Sequence, residues 1–269
     1  MNYIQGQKFK QIADFVFAPP NDLKRSDYSY LVNTLDRRML KEGDIIYTHS
    51  FFIEQLFNLP IENNYILITH NSDINIDFPP RDNILMWYTQ NVNIKHERIT
   101  SIPIGLENDC WYPEKKIKMF AKLKEKKEYK NMIYVNFNIE NNPEARTKPY
   151  EWLKDRRWAT IEQGRNGQDI DGYLDNIYNH PFVVCPEGNG IDTHRTWECL
   201  YLRTIPIEKR NINNQFYTDL PICFVDDWEE ITEKFLFDEF KRMAKIKWNH
   251  TKLGFDYWKN EILNFKKHR

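Results

Sequence analysis

Short apolar runs that each end in a polar cluster recur along the first part of this chain. Asp44-Ile45-Ile46-Tyr47 leads into Thr48-His49-Ser50, Tyr65-Ile66-Leu67-Ile68 into Thr69-His70-Asn71-Ser72-Asp73, and Ile84-Leu85-Met86-Trp87-Tyr88 into Thr89-Gln90-Asn91. Phe15 to Phe17 adds a shorter run. Strands that are apolar on both faces suit a parallel sheet covered by helices, and such sheets gather ligands at the carboxyl ends of their strands. Residues 1 to about 110 therefore read as one small α/β domain. Helices are expected around 31–41 and 51–58, the second presenting Phe51, Phe52, Leu56 and Phe57 as its apolar face.

The pattern restarts at Met132-Ile133-Tyr134-Val135, whose tip carries Asn136-Phe137-Asn138 and is followed by Arg146 in a loop containing Asn141-Asn142-Pro143. Helices are expected at 150–158 and 169–179, with a short strand at 158–161. Asp169-Ile170-Asp171 has the spacing of a metal-holding pair, but Asp171 precedes the periodic run Tyr173, Leu174, Ile177, Tyr178 and is better placed as a helix cap. Strands follow at 205–207 and 221–225, the latter ending in Asp226-Asp227-Trp228, and helices run to the end. Phe255, Trp258, Ile262 and Phe265 fall on one helical face. Between the two halves, Trp111 to Lys130 is lysine-rich around Ile117, Phe120, Ala121 and Leu123. It reads as a solvated linking helix that docks a few apolar residues, with contact to a membrane or anionic glycan as the alternative.

The stretch with the most chemistry is Pro181 to Ile207, in which Phe182-Val183-Val184-Cys185 is cut off by Pro186-Glu187-Gly188-Asn189-Gly190. A capped helix is expected to open at Asp192-Thr193 and to close into Ile205-Pro206-Ile207. Gly188 and Gly190 let the backbone approach a ligand, and free N–H groups at the helix start favour an anion. Arg195 and Glu198 share a helical face. A guanidinium clamps phosphate oxygens in a fork, and a carboxylate one turn on accepts hydrogen bonds from a ribose diol. By spacing alone this is either a nucleotide-diphosphate cradle or an ordinary βαβ unit. It is neither a Walker loop nor GxGxxG, since Thr193 stands where the third glycine would be.

PEGNGIDTHRTWECLYLRTIPI, followed by LPICFVDDWEEIT, resembles the C-terminal signature of exostosin-like glycosyltransferases, and Ile102-Pro103-Ile104-Gly105-Leu106-Glu107 resembles the segment that ends their N-terminal half. The likeness runs over roughly 100 to 240 and departs from the pattern at Arg203, where such helices carry glycine. It implies an α/β, GT-B fold: two Rossmann-like domains facing each other across a cleft, with a C-terminal helix crossing back to the N-terminal domain. The implied boundaries are 1–112 for acceptor binding, 113–250 for the nucleotide-sugar, and 251–269 for the returning helix. The implied activity is inverting, metal-independent transfer from a nucleotide-sugar, most readily a UDP-sugar, to an oligosaccharide or glycan, with no metal ligands and no cofactor beyond that co-substrate. The alternative is a nucleotide- or glycan-binding protein that kept the scaffold and lost catalysis.

On this reading the donor side comprises Arg195, Glu198, His194, Glu187, Gly188, Gly190, Asp192 and Thr193, with Asn136, Asn138 and Arg146 as candidates from the opening strand and loop of the donor domain. For Arg146 and Asn138, a surface arginine and a capped turn are the plain alternatives. The acceptor hydroxyl needs a base, which this reading takes from the polar strand tips of the first domain: Asp73 first, then His70 and His49.

Composition narrows the classes. With 269 residues, 41% apolar content and a net charge of −1, the chain has material for two packed domains and lacks the basic excess of a nucleic-acid binder. Cys110, Cys185, Cys199 and Cys223 are widely spaced and read as reduced thiols. No apolar leader or membrane-length run stands out, so a soluble bacterial or viral enzyme working in the cytoplasm is expected.

Overall fold

The computed structural model describes residues 2–19, 30–163 and 169–268. The chain divides into two compact units, Met1–Ile104 with Gly254–Arg269, and Gly105–Leu253.

In the first unit, α1 (Gly6–Lys10) precedes β1 (Phe15–Phe17), β2 (Ile45–His49), α2 (Ile53–Phe57), β3 (Tyr65–His70), β4 (Ile84–Thr89) and β5 (Ile99–Ser101). The strands lie in sequence order and every neighbouring pair is parallel. Every residue of β2 and β3 is buried, as continuous apolar runs require. Their polar ends are tied inward: Thr69 donates to Thr89 at 2.7 Å, and the Trp87 indole N–H reaches Thr69 at 2.9 Å.

Two expectations here need correction. Residues 31–41 form no helix, because the N–H groups of Thr34 and Leu35 bond the Val16 carbonyl while Asn33 and Thr34 side chains accept from β1. Side-chain acceptors of this kind compete with a helical ladder. On α2, Ile53 and Leu56 are buried behind Phe52, whereas Phe51 is 60% exposed and lies off the apolar face.

The second unit runs α3 (Pro113–Lys122), β6 (Ile133–Phe137), α4 (Pro143–Leu153), β7 (Ala159–Gln163), α5 (Ile170–Tyr178), β8 (Phe182–Val184), α6 (His194–Tyr201), β9 (Ile205–Lys209), β10 (Cys223–Val225) and α7 (Glu233–Met243). Its parallel sheet has the order β10-β9-β8-β6-β7. From β6 the chain moves outward to β7, then returns to the other side of β6 with β8. The β6/β8 border is therefore the switch point, where loops leaving in opposite directions open a crevice at the carboxyl ends.

The unit boundary falls at 104/105, not 112/113, because Gly105 bonds to His194 and α3 packs along α5 through Lys118–Asp171 and Lys122–Asp175 pairs. The buried positions of α3 are Lys116 and Met119, whereas Ile117 is 73% exposed. The cap of α5 is Asp169, which accepts from the Gly172 N–H at 2.9 Å; Asp171 instead pairs with Lys118. Arg146 lies on α4, not in a loop, because Asn142 caps a helix that starts at Pro143.

The last helix, α8 (Phe255–Lys267), belongs to the first unit. Phe255, Trp258 and Ile262 are buried, Phe255 packs edge-on against Phe9 at 5.2 Å, and Phe265 meets Tyr88. Lys266 pairs with Asp14 and Asp44. Two Rossmann-like units with a final helix returning to the first are the elements of the GT-B fold. Among the described residues, no helix is long and apolar enough to cross a membrane.

Candidate functional site

The switch point of the second sheet opens into a cavity of about 580 Å³, within the range of small-molecule sites. Asn136, Phe137 and Asn138 reach it from the end of β6, Arg146 from α4, Tyr173 from α5, and Thr193, His194, Arg195 and Glu198 from α6. Glu107, Tyr112 and Lys115 close the side formed by the segment leading into α3.

Two guanidinium groups dominate its electrostatics. Arg146 is held by carbonyls alone, donating to Glu187 at 2.9 Å and Asn138 at 2.7 Å. Burial, and then the charge of Arg195, push its pKa down to about 10. Arg195 lies over the Tyr173 ring, and its Nε is out of solvent without a hydrogen-bond partner among the described residues. Neither arginine has a carboxylate within ion-pair distance among those residues. Against its burial, Tyr173 and the Glu198 charge support Arg195 and hold its pKa up, whereas Arg146 meets that like charge with carbonyls alone, a costly arrangement that an added anion would relieve. The first N–H groups of α6 add to the attraction.

Glu198 stands one turn after Arg195 and is only 2% exposed. Lys115 pairs with one carboxylate oxygen and the Tyr173 hydroxyl donates to the other at 2.7 Å. Burial alone would raise this carboxyl; Lys115 and the two hydrogen bonds outweigh it and hold the group below the usual carboxylate range. Burial and Glu198 push the Tyr173 hydroxyl well up, so it remains a donor. Each oxygen of Glu198 keeps a lone pair for a further donor.

The loop before α6 shapes the pocket from behind. A Cβ on Gly188 would come within 2.9 Å of Arg146 Nη2, so the glycine makes room for the guanidinium. The Glu187 carboxylate accepts from Asn211, and Asp192 accepts from the Trp197 indole at 2.9 Å. Glu187, Gly188, Gly190 and Asp192 therefore support the lining without forming part of it, whereas Asn136, Asn138, Arg146, Thr193, His194, Arg195 and Glu198 do line it. Thr193 occupies the cap position of α6; its side chain caps no backbone N–H and instead meets the Thr196 hydroxyl at 3.5 Å. His194 is tethered by Gly105 O at 2.7 Å and Glu107 at 3.2 Å. Lys115, Tyr112 and Tyr173 escaped the sequence reading, since a lysine within a lysine run and a tyrosine in an apolar helix look like surface and core.

The base candidates lie in the first unit. His70 is fully buried, accepts the Asn71 N–H at 2.8 Å and meets Pro103 O at 3.0 Å. His49 accepts the Phe51 N–H at 3.2 Å, and burial pushes its pKa down to about 4. Both rings serve as turn and cap groups. Asp73 is exposed, two residues beyond a left-handed turn at Asn71 with φ of 63°.

No protein-family profile and no curated protein matches the chain. Among solved structures, one titled "OtsA apo structure" is similar with a TM-score of 0.45 and 13% identity, over 86% of this chain and 74% of that one. A likeness of that size carries no argument about activity.

Proposed function

We propose that the chain transfers a sugar from a nucleoside diphosphate sugar, most readily a UDP-sugar, to a glycan acceptor with inversion and without a metal. The observation that supports this most is the pair Arg146 and Arg195, neither in a close ion pair among the described residues, beside the amino end of α6 at the switch point of the second sheet. Two guanidiniums and a helix start suit a diphosphate, and Glu198, ionised and fixed, suits the ribose diol beyond it. The exostosin-like spacing of Arg195 and Glu198 agrees with these roles.

In the reaction, the acceptor oxygen attacks the anomeric carbon and the bond to the diphosphate breaks. Arg146 and Arg195 offset the charge that develops on the leaving oxygen, the part that preorganised cations perform best. Asp73 takes the acceptor proton; unlike the two histidines it is exposed, and among the described residues nothing bonds its carboxylate. On this reading the nucleotide-sugar is the co-substrate and no further cofactor is required.

Calorimetry with UDP and a turnover assay over a panel of nucleotide-sugars test the reading. Arg195→Ala is expected to weaken UDP at least tenfold and abolish transfer. Asp73→Asn is expected to cut the rate with UDP affinity intact, and turnover is expected to persist in a chelator. Unchanged UDP affinity in Arg195→Ala would sink the diphosphate site, and complete loss in chelator would sink metal independence. UDP binding with no transfer to any acceptor would leave the binding-protein reading in its place.

A further inference from the structure

The proposed diphosphate and ribose contacts use Arg146, Arg195 and Glu198, and three aromatic rings line the same pocket. Phe137 is 4% exposed and lies beneath the Arg146 guanidinium, 5.8 Å from its ring centre. Tyr173 has Lys115 Nζ at 5.0 Å and Arg195 at 5.9 Å from its ring centre. Neither offers a clear π face. Tyr112 is 45% exposed, lines the same cavity, and among the described residues carries no ring or cation stacked on it.

Its position follows from the local chain. Pro113 starts α3, fixing the backbone just after Tyr112, and the Lys115 N–H bonds the Tyr112 carbonyl at 3.2 Å. That bond holds Tyr112 one turn before Lys115, both line the pocket, and Lys115 reaches Glu198. Contacts therefore lead from Arg195 to Glu198 one turn on and from Glu198 to Lys115, with Tyr112 lining the same pocket three residues earlier. Phosphate, ribose and base occur in that order in a nucleotide.

Building on the nucleotide-sugar reading, we infer that Tyr112 is the platform on which the nucleobase stacks, and that Lys115 beside it selects a base bearing a carbonyl oxygen. Lysine has three N–H donors and no acceptor; Glu198 uses one. The remaining donors fit uracil, cytosine or guanine, whereas adenine offers no carbonyl. Base stacking on an aromatic ring is sequence-tolerant, so the ring sets affinity and the lysine sets preference.

Calorimetry on the full chain with UDP, ADP and pyrophosphate tests this. Tyr112→Ala is expected to bind UDP about tenfold or more weakly, with pyrophosphate unchanged and Tyr112→Phe close to wild type. Wild-type protein is expected to favour UDP over ADP. Tyr112 has no cap bond to lose, and an unchanged melting temperature confirms the fold of each variant. UDP affinity unaltered by Tyr112→Ala, or pyrophosphate lost in parallel, overturns the platform, and equal affinity for ADP and UDP overturns the lysine's part. Wild-type protein that binds pyrophosphate as tightly as UDP keeps the phosphate site and removes the base site. Protein that binds neither removes both, so failure here is distinguishable from failure of the reading beneath it.

Discussion

At the scale of single residues, the pocket depends on a layer of groups that never touch its interior. Thr196, on α6 directly after Arg195, donates to Glu208 on β9, and Asn214 donates to the same carboxyl at 3.2 Å. Burial, with Asp192 and Glu187 adding their charge, pushes Glu208 up to about 7 against those hydrogen bonds. A raised acid binds its proton more tightly in the folded chain than in the unfolded one. Stability from this group is therefore full below the ordinary carboxylate range and is lost as pH rises to about 7, by up to roughly 3 kcal/mol. Denaturant titrations from pH 5 to pH 8 should show that decline, and Glu208→Gln should flatten it while keeping both hydrogen-bond partners supplied. An equally steep decline in the variant would place the pH dependence elsewhere.

At the scale of elements, α6 shows how a local rule can be broken where the fold insists. The helix ends with Arg203 at φ 57°, its N–H bonded to Leu200 O and the Thr204 N–H to Cys199 O. That is the Schellman pattern, in which glycine is the usual left-handed residue. A side chain there costs about 1 kcal/mol, part of which glycine would return through unfolded-chain entropy. Arg203→Gly is expected to raise stability by roughly 0.5 kcal/mol and the melting temperature by a degree or two, with UDP affinity unchanged; a lower melting temperature would mean that the Arg203 side chain matters more than its backbone. The sequence showed this departure and the strands around it, because apolar runs with polar tips depend on backbone chemistry that is local. It placed Arg195 and Glu198 for the same reason, as a spacing within one helix. What stayed hidden came from distant chain: Lys115 meets Glu198, and Tyr112 joins the same pocket, only because α3 folds along α5, and no periodicity in a lysine run marks that. The same competition from distant partners turned 31–41 from helix to irregular chain tied to Val16, and Asp169 rather than Asp171, which pairs with Lys118, caps α5.

At the scale of the whole molecule, each unit completes its own core, but the first does so only with the last helix of the chain. Phe255 on α8 packs on Phe9 of α1, and Phe9 stacks on His70 at 5.2 Å, so the helix is linked through two rings to the tip of β3. Gly6 belongs to the same junction, since a Cβ there would collide with the Asn71 and His70 side chains. Phe255→Ala removes a ring that is 4% exposed and should cost the first unit about 3–5 kcal/mol. The pocket with Arg195 and Glu198 lies in the other unit, so on the proposed reading UDP affinity should persist below the transition, while transfer, if Asp73 is its base, should fall. Calorimetric scans with and without UDP separate the two: the transition that Phe255→Ala lowers should be the one that UDP does not raise. If both perturbations move the same transition by comparable amounts, the units unfold together, and the returning helix stabilises the chain as one cooperative body.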